Sequence, residues 1–115
     1  MDIKIIKDSI TEKALSGLVG DGEMIKAVVD IKQKTIAVGG ELHADAESKL
    51  LNEGSKQEDL WGINLYPNKP ENERIEYTSF INIRPRQNNR SIEIKDATLR
   101  AKIKAVVDQR VKWGQ

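Results

Sequence analysis

The chain has no cysteine, a single histidine, three prolines and only five aromatic side chains among its 115 residues. Without thiols it can form no disulfide, no thiolate zinc site and no cysteine nucleophile, and a reducing compartment is compatible with its composition. One histidine and no cysteine also argue against zinc, which takes nitrogen or sulfur ligands and generally at least three groups from the protein. No apolar run exceeds a few residues, so no segment has the length to cross a bilayer as a helix. Met1-Asp2-Ile3-Lys4-Ile5-Ile6-Lys7-Asp8 mixes charge and aliphatics too closely to form a signal-peptide core. The expected address is therefore the cytoplasm, with no membrane partner. A large excess of charge is missing as well: nineteen Lys/Arg stand against eighteen Asp/Glu, a formal net of +1. That balance and the scarcity of rings for base stacking argue against a nucleic-acid partner.

What is present is ordinary for a globular domain: 38% hydrophobic and 32% charged residues, in a length that suits one core. A single domain over residues 1–115 is expected. The charge is unevenly spread. Gly20 to Asp59 holds nine acidic and five basic residues, a net of minus four, whereas Arg84 to Gln115 holds nine basic and three acidic, a net of plus six. Either the two parts neutralise each other in the fold or the C-terminal part meets an anion.

Apolar spacing divides the chain into alternating elements. Ile3 and Ile5 alternate with lysine as a short strand would. Ser9-Ile10-Thr11-Glu12 fits a capping box for a helix with Ala14, Leu15, Leu18 and Val19 on one side, which Gly20 can end. Ile25, Ala27, Val29 and Ile31 recur at period two, and Thr35-Ile36-Ala37-Val38 follows after a short polar break, predicting an antiparallel hairpin without an Asn-Gly or Asp-Gly turn. Leu42, Ala46 and Leu50 share one face of a helix that ends at Gly54. Leu60 to Tyr66 reads as a strand, and Ile75, Tyr77, Ile81 and Ile83 alternate with polar residues as another. Arg84 to Ser91 lacks apolar residues apart from Pro85 and reads as a surface loop. Asp96 can cap a last helix that buries Leu99, Ile103, Val106, Val107 and Val111. The predicted fold is α+β, with about five strands, at least one antiparallel hairpin and three helices.

Three blocks carry a family resemblance. Ala37-Val38-Gly39-Gly40-Glu41-Leu42-His43-Ala44-Asp45-Ala46-Glu47, then Gly54 to Gly62 with Asn64-Leu65-Tyr66-Pro67, then Ile81-Asn82-Ile83-Arg84-Pro85 with Asn89-Arg90-Ser91 are together similar to a family of small bacterial proteins catalogued as a domain of unknown function. The resemblance covers nearly the whole chain. It implies one cytoplasmic domain, and it brings with it no activity, cofactor or catalytic residue.

Two constellations hold the chemistry. The first is Gly39 to Glu47, with the only histidine and three carboxylates. His43 and Glu47 are four apart and share a helix face, so His43 is a candidate acid/base with Glu41 beside it, and Asp45 and Glu47 are candidates for an oxygen-rich divalent-ion site. Asp30 or Asp59 could join such a site from neighbouring strands. The spacing matches neither a zincin, a nucleophile elbow, a P-loop nor a dinucleotide fingerprint. The simpler reading is a tight glycine turn followed by a helix start whose carboxylates suit the positive end of the dipole. The second constellation comprises Asn64, Asn82, Arg84, Arg86, Arg90 and Ser91. If the two strands are neighbours, these residues form a polar groove in which guanidinium forks could take a carboxylate or phosphate. The plainer alternative is that the arginines pair with the acidic helix.

Should the acidic helix and the arginine loop meet, a cleft of histidine, carboxylates, arginines and asparagines results. The leading expectation is then binding of an anionic small ligand, a nucleotide-like one for example, through Arg84 and Arg90. A divalent-metal-dependent hydrolase acting on a phosphate-containing substrate is the second, with no cofactor identified. The third is a homo-oligomeric interaction protein, a homodimer for example, using Trp61, Trp113 or a sheet edge as the contact.

Overall fold

The computed structural model describes residues 2–19 and 22–115. In chain order its elements are β1 (Lys4–Ile6), β2 (Ile10–Thr11), α1 (Glu12–Val19), β3 (Ile25–Asp30), β4 (Thr35–Val38), α2 (His43–Asn52), β5 (Leu60–Leu65), β6 (Ile75–Glu76), α3 (Ala97–Arg110) and β7 (Val111–Lys112). Five strands form one antiparallel sheet in the order β1-β4-β3-β5-β6, and β2 pairs with β7 in a parallel two-stranded ladder. Over the described residues the chain is thus a single α+β domain with three helices, as the apolar spacing predicts.

The sheet is covered on both sides. Ile25, Ala27, Val29, Ile36, Val38, Trp61, Ile63 and Leu65 form one layer, which meets Leu15 of α1 and Ile103, Val106 and Val107 of α3. Val28, Ala37 and Leu60 form the other, which meets Ala46 and Leu50 of α2. Period two in β3, β4 and β5 sends alternate side chains to the two layers. In β5 the layer facing α2 receives Leu60, Gly62 and Asn64.

The β3–β4 hairpin forms without a glycine turn because Asp30 substitutes for it. Its Oδ1 accepts the amides of Lys32 (2.9 Å) and Gln33 (2.8 Å), its Oδ2 accepts the Ser55 hydroxyl (2.6 Å), and Lys34 takes φ 59°. Asx geometry of this kind closes a turn from the side chain. Ile31 therefore belongs to the turn and not to the strand. After β4, Gly39 (φ 105°) and Gly40 (φ 83°) adopt conformations that favour glycine, and at Gly40 a Cβ would also crowd Ile3 at 3.1 Å. Asp45 reaches back to the Leu42 amide (3.3 Å), the carboxylate half of a capping box.

Two boundaries differ from the periodic reading. Helix α1 starts at Glu12, and its cap is Thr11, whose hydroxyl accepts the Ala14 amide (3.0 Å); Ser9 lies outside because residues 10–11 are held in the ladder with β7. Gly20, the expected stop, lies outside the described residues. The strand expected from Ile75 to Ile83 is only two residues long. From Ser79 the backbone turns into a single 3-10 turn over Phe80–Asn82, and a second follows over Pro85–Gln87. In α3 the Asp96 cap forms, accepting the amides of Thr98 (2.7 Å) and Leu99 (3.3 Å). Val111 is buried in β7, one residue beyond the helix.

Candidate functional site

The 3-10 turn exists because side chains complete the edge of β5. Beyond β6, which reaches only Asn64 and Leu65, the main-chain groups of Gly62 and Leu60 have no strand partner. Asn82 supplies one: its Oδ1 accepts the Gly62 amide (2.8 Å), and its Nδ2 donates to the Gly62 carbonyl (2.9 Å) and to Ile92 O (3.2 Å). Asn82 is 0% exposed. A buried amide with every bond made acts as a peptide group set into the sheet edge. Arg84 continues the edge by donating to the Leu60 carbonyl. Gly62 permits the approach, since a Cβ there would meet Ser79 Cβ at 2.6 Å.

Arg84 joins the acidic helix to this segment. Its Nε donates to Ile81 O (3.1 Å), one terminal nitrogen to Gln57 O (2.6 Å) and Gln87 Oε1 (3.2 Å), and the other to Leu60 O and Glu47 Oε2 (3.4 Å). A guanidinium has five N–H donors, and here there are five acceptors. The side chain is 8% exposed, stacks over Trp61 at 4.6 Å, and has its pKa lowered by burial, against which Glu47 acts. Asn89 is buried too, although residues 84–91 read as a surface loop. Its Nδ2 donates to Asn82 O, Ser91 O and Glu93 O, and its Oδ1 accepts the Lys95 amide. Asn89 stands in the third family block, but no apolar period marks it as buried. Only its place beside Asn88, at φ 61°, hints at a turn that would be knit from inside.

His43, the first residue of α2, is buried, with Nε2 at 2.7 Å from the Ile63 carbonyl oxygen. A carbonyl only accepts, so Nε2 carries the hydrogen. Burial pushes the imidazole pKa below its usual value and Lys26 adds to this, while Ile63 and Asn64 oppose it. Asn64 donates to Glu76 Oε1 (2.7 Å) and Thr78 O (3.4 Å), and among the described residues its buried Oδ1 meets no donor.

The acidic helix and the arginine segment therefore meet, through Glu47 and Arg84, but His43 and Arg84 do not share a hollow. A cavity of about 510 Å³ is lined by Glu47, Arg84, Arg86 and Gln87 with Ile83 and Pro85. A second, of about 280 Å³, is lined by Lys26, Leu42, His43, Ala44 and Ser79. Phe80 and Ile81 line both and form the ridge between them. Glu41, Asp45 and Arg90 are exposed and line neither cavity; the Ser91 hydroxyl accepts the Glu93 amide (3.1 Å). Among the described residues no group of three His, Asp or Glu side chains is placed to hold a metal ion, and no helix is long and apolar enough to cross a membrane.

The periodic reading misplaced the apolar residues of this segment. With the backbone in a 3-10 turn, Asn82 and Arg84 go inside, and Phe80 (83% exposed) and Ile83 (46%) go outside. The two tryptophans expected as contact anchors behave in the opposite way: Trp61 is buried, with its indole nitrogen unpartnered, and Trp113 is half-buried, donates to Asp108 (3.0 Å) and lies under Arg74. The ridge and, apart from Lys26, the residues lining the two cavities lie within the stretch that the three sequence blocks delimit. No curated protein and no solved structure matches the chain. A family model matches residues 4–110, nearly its full length, and the chain belongs to that family, described as "Protein of unknown function (DUF5674)".

Proposed function

We propose that this is an interaction domain and not a catalyst, that its contact surface is the Phe80 ridge, and that the occupant is a second copy of the chain. The observation that carries the reading is the exposure of Phe80 on a turn that buried polar side chains hold in place. Burying a phenylalanine side chain is worth roughly 1.5–3 kcal/mol. A ring held out in water on a rigid support keeps that free energy available for a partner without an ordering cost at the moment of binding.

Self-association fits the shape and charge of the face. One projecting ring stands between two hollows, so a two-fold axis displaced from the ridge toward a hollow can seat the Phe80 of each copy in that hollow of the other, as isologous contacts require. The smaller hollow offers Leu42, Ala44 and Ile81 as apolar walls. Exposed Glu41 and Asp45 flank Leu42 and Ala44 at that end, whereas Arg86 lines the other end, where Arg84 and Glu47 already pair. The same two-fold operation sets the acidic end of one copy against the basic end of the other.

The anionic-ligand reading of the cleft has less support. Every donor of Arg84 is already used, so an anion would have to displace Glu47 or rely on Arg86. The hydrolase reading would need His43 to exchange a proton with substrate while its hydrogen is directed at Ile63. Sedimentation velocity across a concentration series tests the proposal. The parent protein is expected to pass from monomer to dimer, and Phe80→Ser to remain monomeric. A parent that stays monomeric at the highest workable concentration, or a variant that dimerises equally well, would overturn it.

A further inference from the structure

On the opposite side of the sheet, α3 and the β3–β4 turn enclose a cavity of about 460 Å³. Lys102, Ala105, Val106 and Gln109 come from α3 at i, i+3, i+4 and i+7, a single helical stripe. Ile31, Lys32 and Lys34 face it from the turn, with Asp59 at the start of β5. Val106 is buried and forms the floor, while exposed Ala105 is small enough to leave the space open.

Two features separate this hollow from an ordinary solvated patch. Its turn is fixed from several directions: the Asp30 carboxylate holds the amides of Lys32 and Gln33, the Ile31 amide donates to Asp59 O (3.0 Å), and Arg110 Nε donates to the Lys34 carbonyl (2.7 Å). Lys32 and Lys34 are therefore displayed from a preorganised backbone. In addition, three lysines and one aspartate line it, and among the described residues Lys32, Lys34, Lys102 and Asp59 form no ion pair. The lining carries a net charge of plus two around an apolar floor.

We infer that this hollow binds an anionic amphiphile: a small molecule whose apolar body packs on Ile31, Ala105 and Val106 and whose phosphate or carboxylate group is held by Lys32, Lys34 and Lys102. Ammonium groups bind such oxyanions as point charges without demanding a fixed fork geometry. The ligand is thus selected by class, a flat or short apolar group with a terminal oxyanion, and the apolar contact supplies what inorganic phosphate lacks. The site is independent of the Phe80 ridge, which lies on the face covered by α2.

Amide chemical shifts during titration with 2-naphthyl phosphate test the inference, with 2-naphthol and inorganic phosphate as matched halves of the probe. The ester is expected to move amides of residues 31–34 and 102–109, and to bind at least about tenfold more tightly than inorganic phosphate because of its buried apolar area. The Lys34→Gln/Lys102→Gln double variant changes only exposed side chains, so its melting temperature should be unchanged, while its affinity for the ester falls about three- to tenfold. Phe80→Ser should bind as the parent does, which keeps this test separate from that of the ridge. The inference is overturned if the ester moves no amide at millimolar concentration or moves those of another surface. It is equally overturned if naphthol binds as tightly as the ester, or if the double variant keeps full affinity.

Discussion

Against the sheet face that carries Ile25, Ala27, Val29 and Ile63, helices α1 and α3 lay down a continuous apolar layer including Leu15, Ile103, Val106 and Val107. Against the opposite face α2 contributes little more than Ala46 and Leu50, and the remaining cover is the segment 79–89, tied down by Asn82, Arg84 and Asn89. The first face is held by area removed from water, which is tolerant of shape. The second is held by directional bonds, which are intolerant of a lost partner. A segment fixed by its polar side chains can turn its apolar ones outward, and Phe80 and Ile83 are the result.

A pair of volume-conserving swaps should separate the two faces most sharply. Asn82→Leu keeps the size but orphans the Gly62 amide and the Gly62 carbonyl, while Ile92 O keeps the Ser79 amide as its donor. At about 1–3 kcal/mol for each buried group left unpaired, a loss of on the order of 3 kcal/mol or more is expected in urea unfolding. Ile103→Leu on the other face should cost less than about 1.5 kcal/mol. Comparable losses for the two would show that the second face is held by packing after all.

Arg84→Lys comes next. Lysine has no fork to serve Ile81, Gln57, Gln87, Leu60 and Glu47 together, so stability should fall by about 2 kcal/mol, the scale of a hydrogen bond to a charged group. Hydrogen exchange should quicken at residues 80–89 while β3 and β4 keep their protection. Uniform quickening would mean that Arg84 supports the whole domain and not this face.

A smaller effect concerns pH. His43 has a lowered pKa in the fold, chiefly through burial, so the unfolded chain binds a proton more readily than the folded one. The stability it contributes is fully present above the unfolded value of about 6.5 and is lost as pH falls from there through the folded pKa, by at most about 1.4 kcal/mol per pH unit. His43→Gln keeps a donor for Ile63 and should flatten this part of the stability–pH curve. Equal slopes for parent and variant between pH 7 and 5 would contradict the assignment.

The least effect on folding is expected at the ridge itself. Phe80 touches solvent over most of its surface, so Phe80→Ser should change the stability of the dilute monomer by no more than about 0.5 kcal/mol, measured by urea unfolding at low protein concentration. A larger loss would make Phe80 part of the support, not the thing supported.

The two faces also differ in how far they could be read from sequence. Period two in Ile25, Ala27 and Val29, helical spacing in Ile103, Val106 and Val107, and the Asp96 cap all report burial against apolar neighbours, and burial leaves a regular pattern. Ile75, Tyr77, Ile81 and Ile83 alternate just as regularly, yet the backbone leaves the sheet after Glu76. The alternation of a strand does not reveal whether its edge is met by another backbone or by the amide of Asn82. The β2–β7 ladder, which joins residues 10–11 to 111–112, was invisible for a related reason: two residues are too few to show a period. At the site, the meeting of Glu47 and Arg84 followed from charge. That His43 falls on the far side of Phe80 depends on the turn, which the pattern of apolar residues concealed.

Phe80 is the only phenylalanine in the chain, so its ring protons can be identified without ambiguity in a mixed sample of isotope-labelled and unlabelled protein. An isotope-filtered NOE spectrum recorded where the dimer predominates should show cross-peaks between that ring in one copy and the methyl groups of Leu42, Ala44 or Ile83 in the other. A dimer whose filtered spectrum holds intermolecular peaks elsewhere and none to this ring would contradict the account.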